Sequence, residues 1–374
     1  MPITFTGDIP SATERILTGL HSLDLSVADS LGNKGWPLRS LSEVYGPKSV
    51  GKTSFCLSLM GIIAASTHKN CTVLDLEIQD RNTVEQILMK SGFSKELHYI
   101  MTRQGESPEK TLGRFTDKMF EKNPDIALLD SIGAYQPNAV LDGDIGDRNV
   151  GQKALEMGQL SSRLMRGLQL ADKPNAIFMT NHVHPNIGYM AIGNTTTGGV
   201  TKKYLSHLRV NLTQAFFNKY VVHFGDSWLV KGKIDNNRFG FSNKEFYVFF
   251  VGGEGIHHGL TAMWECIIYG YADVSSKKIQ NSTTVTMDGQ SFGKMGIIFR
   301  DRNNEPERFI PFINRLKAKE LDSSLPDDEK ENEDDNRDEN QDDNQDDGNK
   351  DESKNNNKNI SLSRNKKKKG NHAT

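Results

Sequence analysis

Residues 41–54 read LSEVYGPKSVGKTS, and the pattern G-x-x-x-x-G-K-[ST] runs through them from Gly46 to Thr53. The alternation in residues 42–45 predicts a strand and the apolar run in residues 54–64 predicts a buried helix. Glycines let the turn between them gather its N–H groups around phosphate oxygens, in front of the positive end of the helix. In this pattern the lysine reaches the β- and γ-phosphates, and the hydroxyl that follows it binds Mg²⁺. The stretch therefore predicts a nucleotide site with the contacts Gly46, Pro47, Lys48, Ser49, Val50, Gly51, Lys52, Thr53 and Ser54.

The charge of the chain is unevenly distributed. Its 374 residues carry a net charge of −2, yet residues 322–352 are strongly acidic and residues 353–374 are basic, so the remainder is mildly positive. A basic body with an acidic appendage is typical of a polyanion-binding protein that holds a competitor for its own binding surface. A solubilising tail without a regulatory role is the alternative. In either case, the sequence beyond Leu321 is too polar to fold and is expected to be disordered.

Cysteine usage and hydropathy narrow the cellular location. Cys56, Cys71 and Cys266 lie scattered in apolar runs, which indicates buried thiols in a reducing compartment. No apolar run reaches the length of a membrane span, and the N-terminal residues lack a basic and apolar leader. We therefore expect a cytoplasmic protein, located in the host cytoplasm if the gene is viral.

Predicted strands alternate with predicted helices along the first half of the chain. The strands are expected at Cys71–Leu76, Ile126–Asp130 and Ala176–Thr180, and the helices at Arg81–Ser91, Pro108–Lys122 and Val150–Leu170. This order predicts an α/β fold with a mostly parallel sheet that binds ligands at the carboxyl ends of its strands. The predicted organisation is a short N-terminal segment (1–28), a core (29–251), a small C-terminal α/β lobe (252–318) and a charged tail (319–374).

Polar residues follow three of the predicted strands. Asp130 ends an apolar strand, where an acid can hold Mg²⁺. Hydrolysis also needs a carboxylate that orients and deprotonates water, and Glu77 comes directly after another strand. Asp75 and Asp80 compete for that role, but position favours Glu77, because Asp75 lies inside the apolar strand and Asp80 lies in the loop. A solvated loop acid is the alternative. His182 follows the third strand, where it could contact the γ-phosphate.

Long loops rich in glycine and hydroxyl residues leave the same edge of the predicted sheet. They read NAVLDGDIGDRNVG over residues 138–151 and HPNIGYMAIGNTTTGGVTKK over residues 184–203. Backbone N–H groups and threonine hydroxyls, with Arg148, Lys202 and Lys203 adding charge, suit a nucleic-acid backbone read without sequence preference. Solvent loops without a ligand are the alternative.

The ordered set of motifs resembles the bacterial RecA-type recombinases and their phage relatives. It comprises TGLHSLDL, GPKSVGKTS, DLE, LLDSIGA, GDIGDRN, TNH, GNTTTGG, VKGKI and GGEGI, between about Thr13 and Gly270. The resemblance implies a RecA-like P-loop NTPase core that uses ATP and Mg²⁺. It also implies a DNA-dependent ATPase that polymerises on single-stranded DNA, pairs it with double-stranded DNA and exchanges strands, with ATP bound between subunits of a helical filament. Single-strand-binding and loading proteins would be further partners.

The resemblance also assigns roles to individual residues. Lys52, Thr53 and Asp130 match the ATP and Mg²⁺ ligands, Glu77 the catalytic glutamate, and His182 a glutamine that senses the γ-phosphate. Lys231 and Lys233 match paired lysines that reach the neighbouring subunit's ATP. Tyr204 falls at a subunit-interface aromatic, and Arg81 is a candidate adenine contact.

The resemblance implies a first DNA loop at Gly143–Val150 and a second at His184–Gly199, and the predicted DNA-contacting set falls in these loops and directly after the second. Its members are Gly143, Asp144, Ile145, Gly146, Asp147, Arg148, Val150, His184, Ile187, Thr195, Thr196, Thr197, Gly198, Gly199, Lys202 and Lys203. Val150 and Ile187 fall where members of the family wedge apolar side chains between bases. The sequence departs from the family in two places. The N-terminal helix that docks on the adjacent subunit is missing or reduced to a few residues, and His184 and Pro185 replace a more basic stretch.

The sequence is also compatible with two rival functions. A ring helicase of the same core fold is one, although no helicase N-terminal domain is recognisable. An accessory or loading module that hydrolyses little ATP is the other, and the short N-terminus favours it.

Overall fold

The computed structural model describes residues 14–121, 123–141, 151–185, 194–196 and 206–323. Most of the residues predicted to contact DNA, and Tyr204, lie outside these residues. In the described part of the chain, no helix combines the length and apolar character needed to cross a membrane.

The helices follow the chain in this order: α1 (His21–Ser26), α2 (Lys52–Thr67), α3 (Arg81–Lys90), α4 (Pro108–Met119), α5 (Asn138–Leu141), α6 (Gln152–Leu170), α7 (His258–Ile268), α8 (Met295–Arg300) and α9 (Ile310–Ser323), with a 3₁₀ helix at Pro306–Phe309.

The strands are β1 (Arg15–Ile16), β2 (Trp36–Pro37), β3 (Ser40–Gly46), β4 (Cys71–Asp75), β5 (Leu97–Ile100), β6 (Ile126–Asp130), β7 (Ala176–Pro185), β8 (Asn194–Thr196), β9 (Leu208–Gln214), β10 (Phe216–Phe217), β11 (Tyr220–Val221), β12 (His223–Phe224), β13 (Ser227–Asn237), β14 (Lys244–Val251), β15 (Gly255–Ile256), β16 (Asp273–Val274), β17 (Thr284–Met287) and β18 (Gln290–Lys294).

Strand β3 lies in the middle of the main sheet, whose order is β15-β14-β13-β9-β3-β7-β6-β4-β5. It runs parallel to both neighbours, β7 and β9, while β13, β14 and β15 add an antiparallel part on one side. The register sets Gly46 opposite His182, and Asp75 opposite Asp130. The parallel strands therefore deliver their polar ends to one edge of the sheet, which confirms the predicted α/β architecture.

Two apolar layers cover this sheet because its central strands are buried on both faces. Neighbouring residues of β6 alternate between the layers: Leu128 packs in the core that contains Phe55 of α2, and Leu129 packs in the core that contains Phe115 of α4 and Leu164 of α6. Helix α2 is apolar on nearly all sides, as expected of a helix enclosed between the sheet and α3.

The C-terminal region packs on the antiparallel part of the sheet. Trp264 of α7 stacks on Phe249 of β14, with ring centroids 6.2 Å apart, and Leu229 of β13 belongs to the same apolar cluster. Strands β16, β17 and β18 form a separate small sheet there. The residues described up to Ser323 belong to one compact unit, so the boundaries of the predicted domains stay a prediction.

The predicted state of the cysteines is confirmed. Cys56, Cys71 and Cys266 are free and buried, and burial raises the pKa of the Cys266 thiol to about 12. Buried thiols of this kind are unreactive. All three cysteines belong to the apolar core clusters and have a packing role.

Candidate nucleotide site

Two glycines give the loop between β3 and α2 its path. A Cβ at Gly46 would lie 2.2 Å from the carbonyl oxygen of Leu212, so only glycine lets the loop leave β3 against β9. Gly51 has φ 104°, and a Cβ there would lie 3.0 Å from the ring of Phe250. The loop therefore turns back over the N-terminus of α2, where the partial positive charge of a 16-residue helix attracts anions.

Lys52 is buried at the start of α2. Its ammonium group donates to two carbonyl oxygens of its own loop, those of Gly46 at 3.2 Å and Pro47 at 2.8 Å. Burial lowers the pKa of Lys52, while the nearby carboxylates of Glu77 and Asp130 oppose that change. A phosphate group in the cavity would offer this ammonium a stronger, oppositely charged partner.

Thr53 and Asp130 form an oxygen pair beside the loop. The Thr53 hydroxyl donates to Oδ2 of Asp130 at 2.8 Å, and the Thr180 hydroxyl donates to Oδ1. Burial raises the pKa of Asp130 to about 6, against the lowering effect of these two hydroxyl groups. A carboxylate beside a hydroxyl suits Mg²⁺, which takes few protein ligands together with phosphate oxygens and water. The described residues contain no cluster of three His, Cys, Asp or Glu side chains that could hold a metal ion.

Glu77 and His182 meet across the cavity. Oε1 of Glu77 lies 2.9 Å from Nε2 of His182, and the Ser131 hydroxyl donates to the same carboxylate. Burial favours the neutral form of Glu77, but the hydrogen bonds from Ser131 and His182 outweigh it, so the pKa of Glu77 is lowered. The carboxylate is therefore ionised at neutral pH, as a group that accepts a proton from water must be.

The two acids that competed with Glu77 have structural contacts instead. Asp75 accepts from the backbone N–H groups of Glu77 at 2.9 Å and Gln79 at 2.7 Å, and also from the Tyr99 hydroxyl. Asp80 caps α3 by accepting from Asn82 and Thr83. Between them, Ile78 adopts φ 59° with its side chain 80% exposed. The turn held by Asp75 thus leaves Glu77 as the acid that faces the cavity.

These groups line one cavity of about 910 Å³. Its lining residues are Lys48, Ser49, Gly51, Lys52, Thr53, Ser54, Glu77, Gln79, Asp130, Gly133, Ala134, His182, Val183 and Trp228. The structure therefore brings together the predicted phosphate loop, both predicted Mg²⁺ ligands, Glu77 and His182. The cavity and its donor set fit a nucleoside triphosphate with Mg²⁺.

Sequence reasoning missed three residues at this site. Ser131 directly follows Asp130 at the end of β6, and Thr180 lies two residues before His182 within β7, so their positions near these two residues could have identified them. Trp228 gave no such signal: it lies in β13, far along the chain, and its indole N–H donates to the carbonyl oxygen of Val50 at 3.2 Å.

Gly46, Pro47 and Val50 of the phosphate loop are not among the lining residues, and three predicted catalytic or cofactor-binding residues outside that loop do not line the cavity either. Arg81 begins α3, and its guanidinium pairs with Glu85 at 2.8 Å beside a separate depression. Lys231 and Lys233 project from β13, with side chains 35% and 43% exposed, and pair with acids of their own chain, Lys231 with Glu245 at 2.7 Å and Lys233 with Asp235 at 3.7 Å.

Of the predicted DNA-contacting residues, the structure places only a few backbones. His184 lies in β7 and pairs with Thr195 of β8, and Val183 pairs with Thr196. Gly143 to Val150, Ile187, Thr197 to Gly199, Lys202 and Lys203 lie outside the described residues, as does Tyr204.

The mostly parallel sheet, with a glycine-rich loop leading from its central strand into a helix N-terminus, defines the P-loop class of α/β proteins. A protein-family model described as the RecA N-terminal domain matches residues 8–256, so the chain belongs to the RecA family. Protein RecA of Bdellovibrio bacteriovorus is 31% identical over 202 residues, which cover 53% of this chain and 50% of that protein. The chain thus aligns with about half the length of this relative. A crystal structure of the RadB recombinase is similar with a TM-score of 0.47 and 18% identity, covering 64% of this chain and 98% of that one.

Proposed function

We propose that this protein is an ATP-dependent DNA recombinase, which assembles on single-stranded DNA and catalyses homologous pairing and strand exchange in recombination and DNA repair. The observation that carries the proposal is the 2.9 Å contact between Glu77 and His182 over the phosphate loop. It supports the proposal because both side chains line the cavity beside the phosphate loop, where Glu77 would activate the attacking water and His182 would contact the γ-phosphate. Family membership supports the DNA substrate.

The hydrolytic step follows from the side chains in the cavity. Lys52 and the backbone N–H groups at the start of α2 hold the phosphates, and Thr53 and Asp130 hold Mg²⁺, which when bound neutralises charge on the phosphate oxygens. Glu77 orients the attacking water and accepts its proton. Asp75 fixes the turn that carries Glu77, so the carboxylate is positioned before the nucleotide binds.

Coupling to DNA is proposed through β7. His182 and the first residue of the predicted second DNA loop, His184, lie on this one strand, two positions apart. A contact between His182 and the γ-phosphate would therefore move the start of that loop directly.

The shared active site is proposed to form between subunits. Lys231 and Lys233 stand at a solvent-facing surface of β13, where they can reach a nucleotide held by an adjacent copy. There they would stabilise transition-state charge as an arginine finger does. Tyr204 is the proposed aromatic contact of the same interface.

The deciding experiment measures ATP hydrolysis with single-stranded DNA, with duplex DNA and without DNA. We expect single-stranded DNA to raise turnover at least about tenfold. Assembly on the DNA would complete the site between subunits, and the completed site would stabilise the charge of the transition state. Lys52→Ala is the matched control and should show no turnover under any condition. Turnover that ignores single-stranded DNA, in a folded protein that binds ATP, would refute the proposal, and a D-loop assay then tests strand exchange itself.

A further inference from the structure

Lys153 of helix α6 forms a hydrogen bond with the turn at residues 131–134, which follows β6 and contacts the candidate catalytic residues. Nζ of Lys153 donates to the carbonyl oxygen of Gly133 at 2.7 Å, and the side chain is partly buried. Lys153 stands in the first turn of α6, where the helix dipole disfavours a positive charge. A lysine in this place needs a compensating partner, and a charge-assisted hydrogen bond to a carbonyl oxygen provides one.

The turn that Lys153 holds is in contact with both catalytic side chains. A Cβ on Gly133 would lie 2.6 Å from Cδ2 of His182, so the Gly133 backbone packs directly against the imidazole ring. In the same turn, the N–H of Ala134 donates to Ser131, and the Ser131 hydroxyl donates to Glu77. A displacement of the turn therefore moves His182 and Glu77 together.

Helix α6 itself is well anchored. Leu160 and Leu164 are buried in the core that covers one face of the sheet, and Tyr135 at the end of the turn donates to Glu156. The helix can thus act as a fixed support for the turn. It begins two residues after the predicted first DNA loop, which ends at Val150.

We infer that Lys153 is a positioning residue for ATP hydrolysis: its ammonium holds the Gly133 carbonyl so that Ser131 orients Glu77 and Gly133 seats His182. This inference rests on the proposed ATPase function. It concerns the hydrolytic step and not nucleotide binding, because Lys153 is not among the residues that line the cavity.

The test compares steady-state ATP hydrolysis of the full chain with single-stranded DNA for the wild type and Lys153→Met. Methionine keeps most of the apolar stem and removes the donor. We expect kcat to fall about tenfold, because small displacements of catalytic groups are costly, while KM for ATP and the affinity for single-stranded DNA change less than about twofold. Lys153→Arg keeps a cationic donor and should retain at least about a third of wild-type kcat.

Lys110→Met is the matched control. Lys110 also lies in the first turn of a helix, α4, but its side chain is exposed, so its removal should leave kcat unchanged. A kcat for Lys153→Met within about twofold of wild type, or an equal loss in Lys110→Met, overturns the inference.

A second variant perturbs the same turn and leaves Lys153 unchanged. Gly133→Ala pushes a methyl group against His182, and the double variant Lys153→Met with Gly133→Ala should be no slower than the slower single variant, because both act through one displacement. Fully multiplicative losses would contradict this. If Lys153→Met proves too unstable at the assay temperature, Gly133→Ala still tests the turn with the lysine in place, and a kcat within about twofold of wild type would then overturn the inference. If the wild type itself shows no DNA-stimulated turnover, the proposed function fails, and that result is separate from any effect of Lys153.

Discussion

Glu265 on α7 offers a test of stability that does not depend on activity. Its side chain is fully buried and accepts from the Ser22 hydroxyl and the Ser22 N–H, while Oε2 has no hydrogen-bond partner among the described residues. Burial raises the pKa of Glu265 to about 7, the Ser22 contacts oppose this, and the charge of Asp24 adds to it. An isolated buried carboxylate is costly when ionised, so Glu265 destabilises the fold whenever it is charged.

The size of this destabilisation follows from the linkage between proton binding and folding. The pKa of Glu265 is raised from 4.5 to about 7 on folding, which corresponds to about 3 kcal/mol at roughly 1.4 kcal/mol for each pKa unit. Because the folded pKa is the higher one, this stability is fully present below pH 4.5 and is lost as the pH rises through 7. Glutamine cannot ionise. Glu265→Gln should therefore gain roughly 2 to 3 kcal/mol over the wild type between pH 5 and pH 8.5.

Urea unfolding of the wild type and Glu265→Gln at pH 5, 6, 7 and 8.5 measures this difference. Taking the difference between the two proteins cancels other titrating groups, including Asp130. Glu307→Gln is the matched control, since Glu307 is exposed and its curve should follow the wild type. A constant stability difference between wild type and Glu265→Gln across this pH range would refute the reasoning.

Three further predictions concern the catalytic groups and the turn beside them. Glu77→Gln should retain ATP binding and slow hydrolysis by about 10² to 10⁴, the usual contribution of a general base, and unchanged turnover in a coupled ATPase assay would remove Glu77 from that role. Lys231→Ala with Lys233→Ala should be inactive alone and recover roughly a quarter of wild-type turnover in an equal mixture with Lys52→Ala, if each site is built from two subunits at random; no recovery at any ratio argues for a site within one chain. Ile78→Gly should raise the thermal midpoint by roughly 1 to 3 °C, because relief of left-handed strain exceeds the added chain entropy and no buried surface is lost, and a lower midpoint in differential scanning calorimetry would contradict this.

Much of the central architecture could be predicted because it depends on local pattern. The strand Ile126–Asp130 was predicted with the observed bounds, and the helix beginning at Arg81 ends one residue earlier than predicted. Strand β9 was missed. Its place beside β3 depends on a pairing across more than 160 residues, which no local signal reports.

The site was predictable to the extent that parallel strands bring their ends together. Lys52, Thr53, Asp130, Glu77 and His182 converge for that reason. Position along the chain favours Glu77 over Asp75, but sequence alone could not show that Asp75 accepts from the backbone N–H groups of Glu77 and Gln79. Sequence alone also could not identify the contact of Lys153, because its partner is a backbone carbonyl oxygen, a group that every residue has.

The central position of β3 has a consequence for dynamics. Its backbone is hydrogen-bonded to a neighbour on each side, so its amides should be among the slowest in the chain to exchange with deuterium. The turn at residues 76–79, at the margin of the same cavity, rests on a few side-chain contacts and should exchange early. Nucleotide-dependent protection would then appear in that turn while the strand beneath it remains unchanged, so deuterium exchange read by mass spectrometry can follow the response to ATP without a probe attached to the protein.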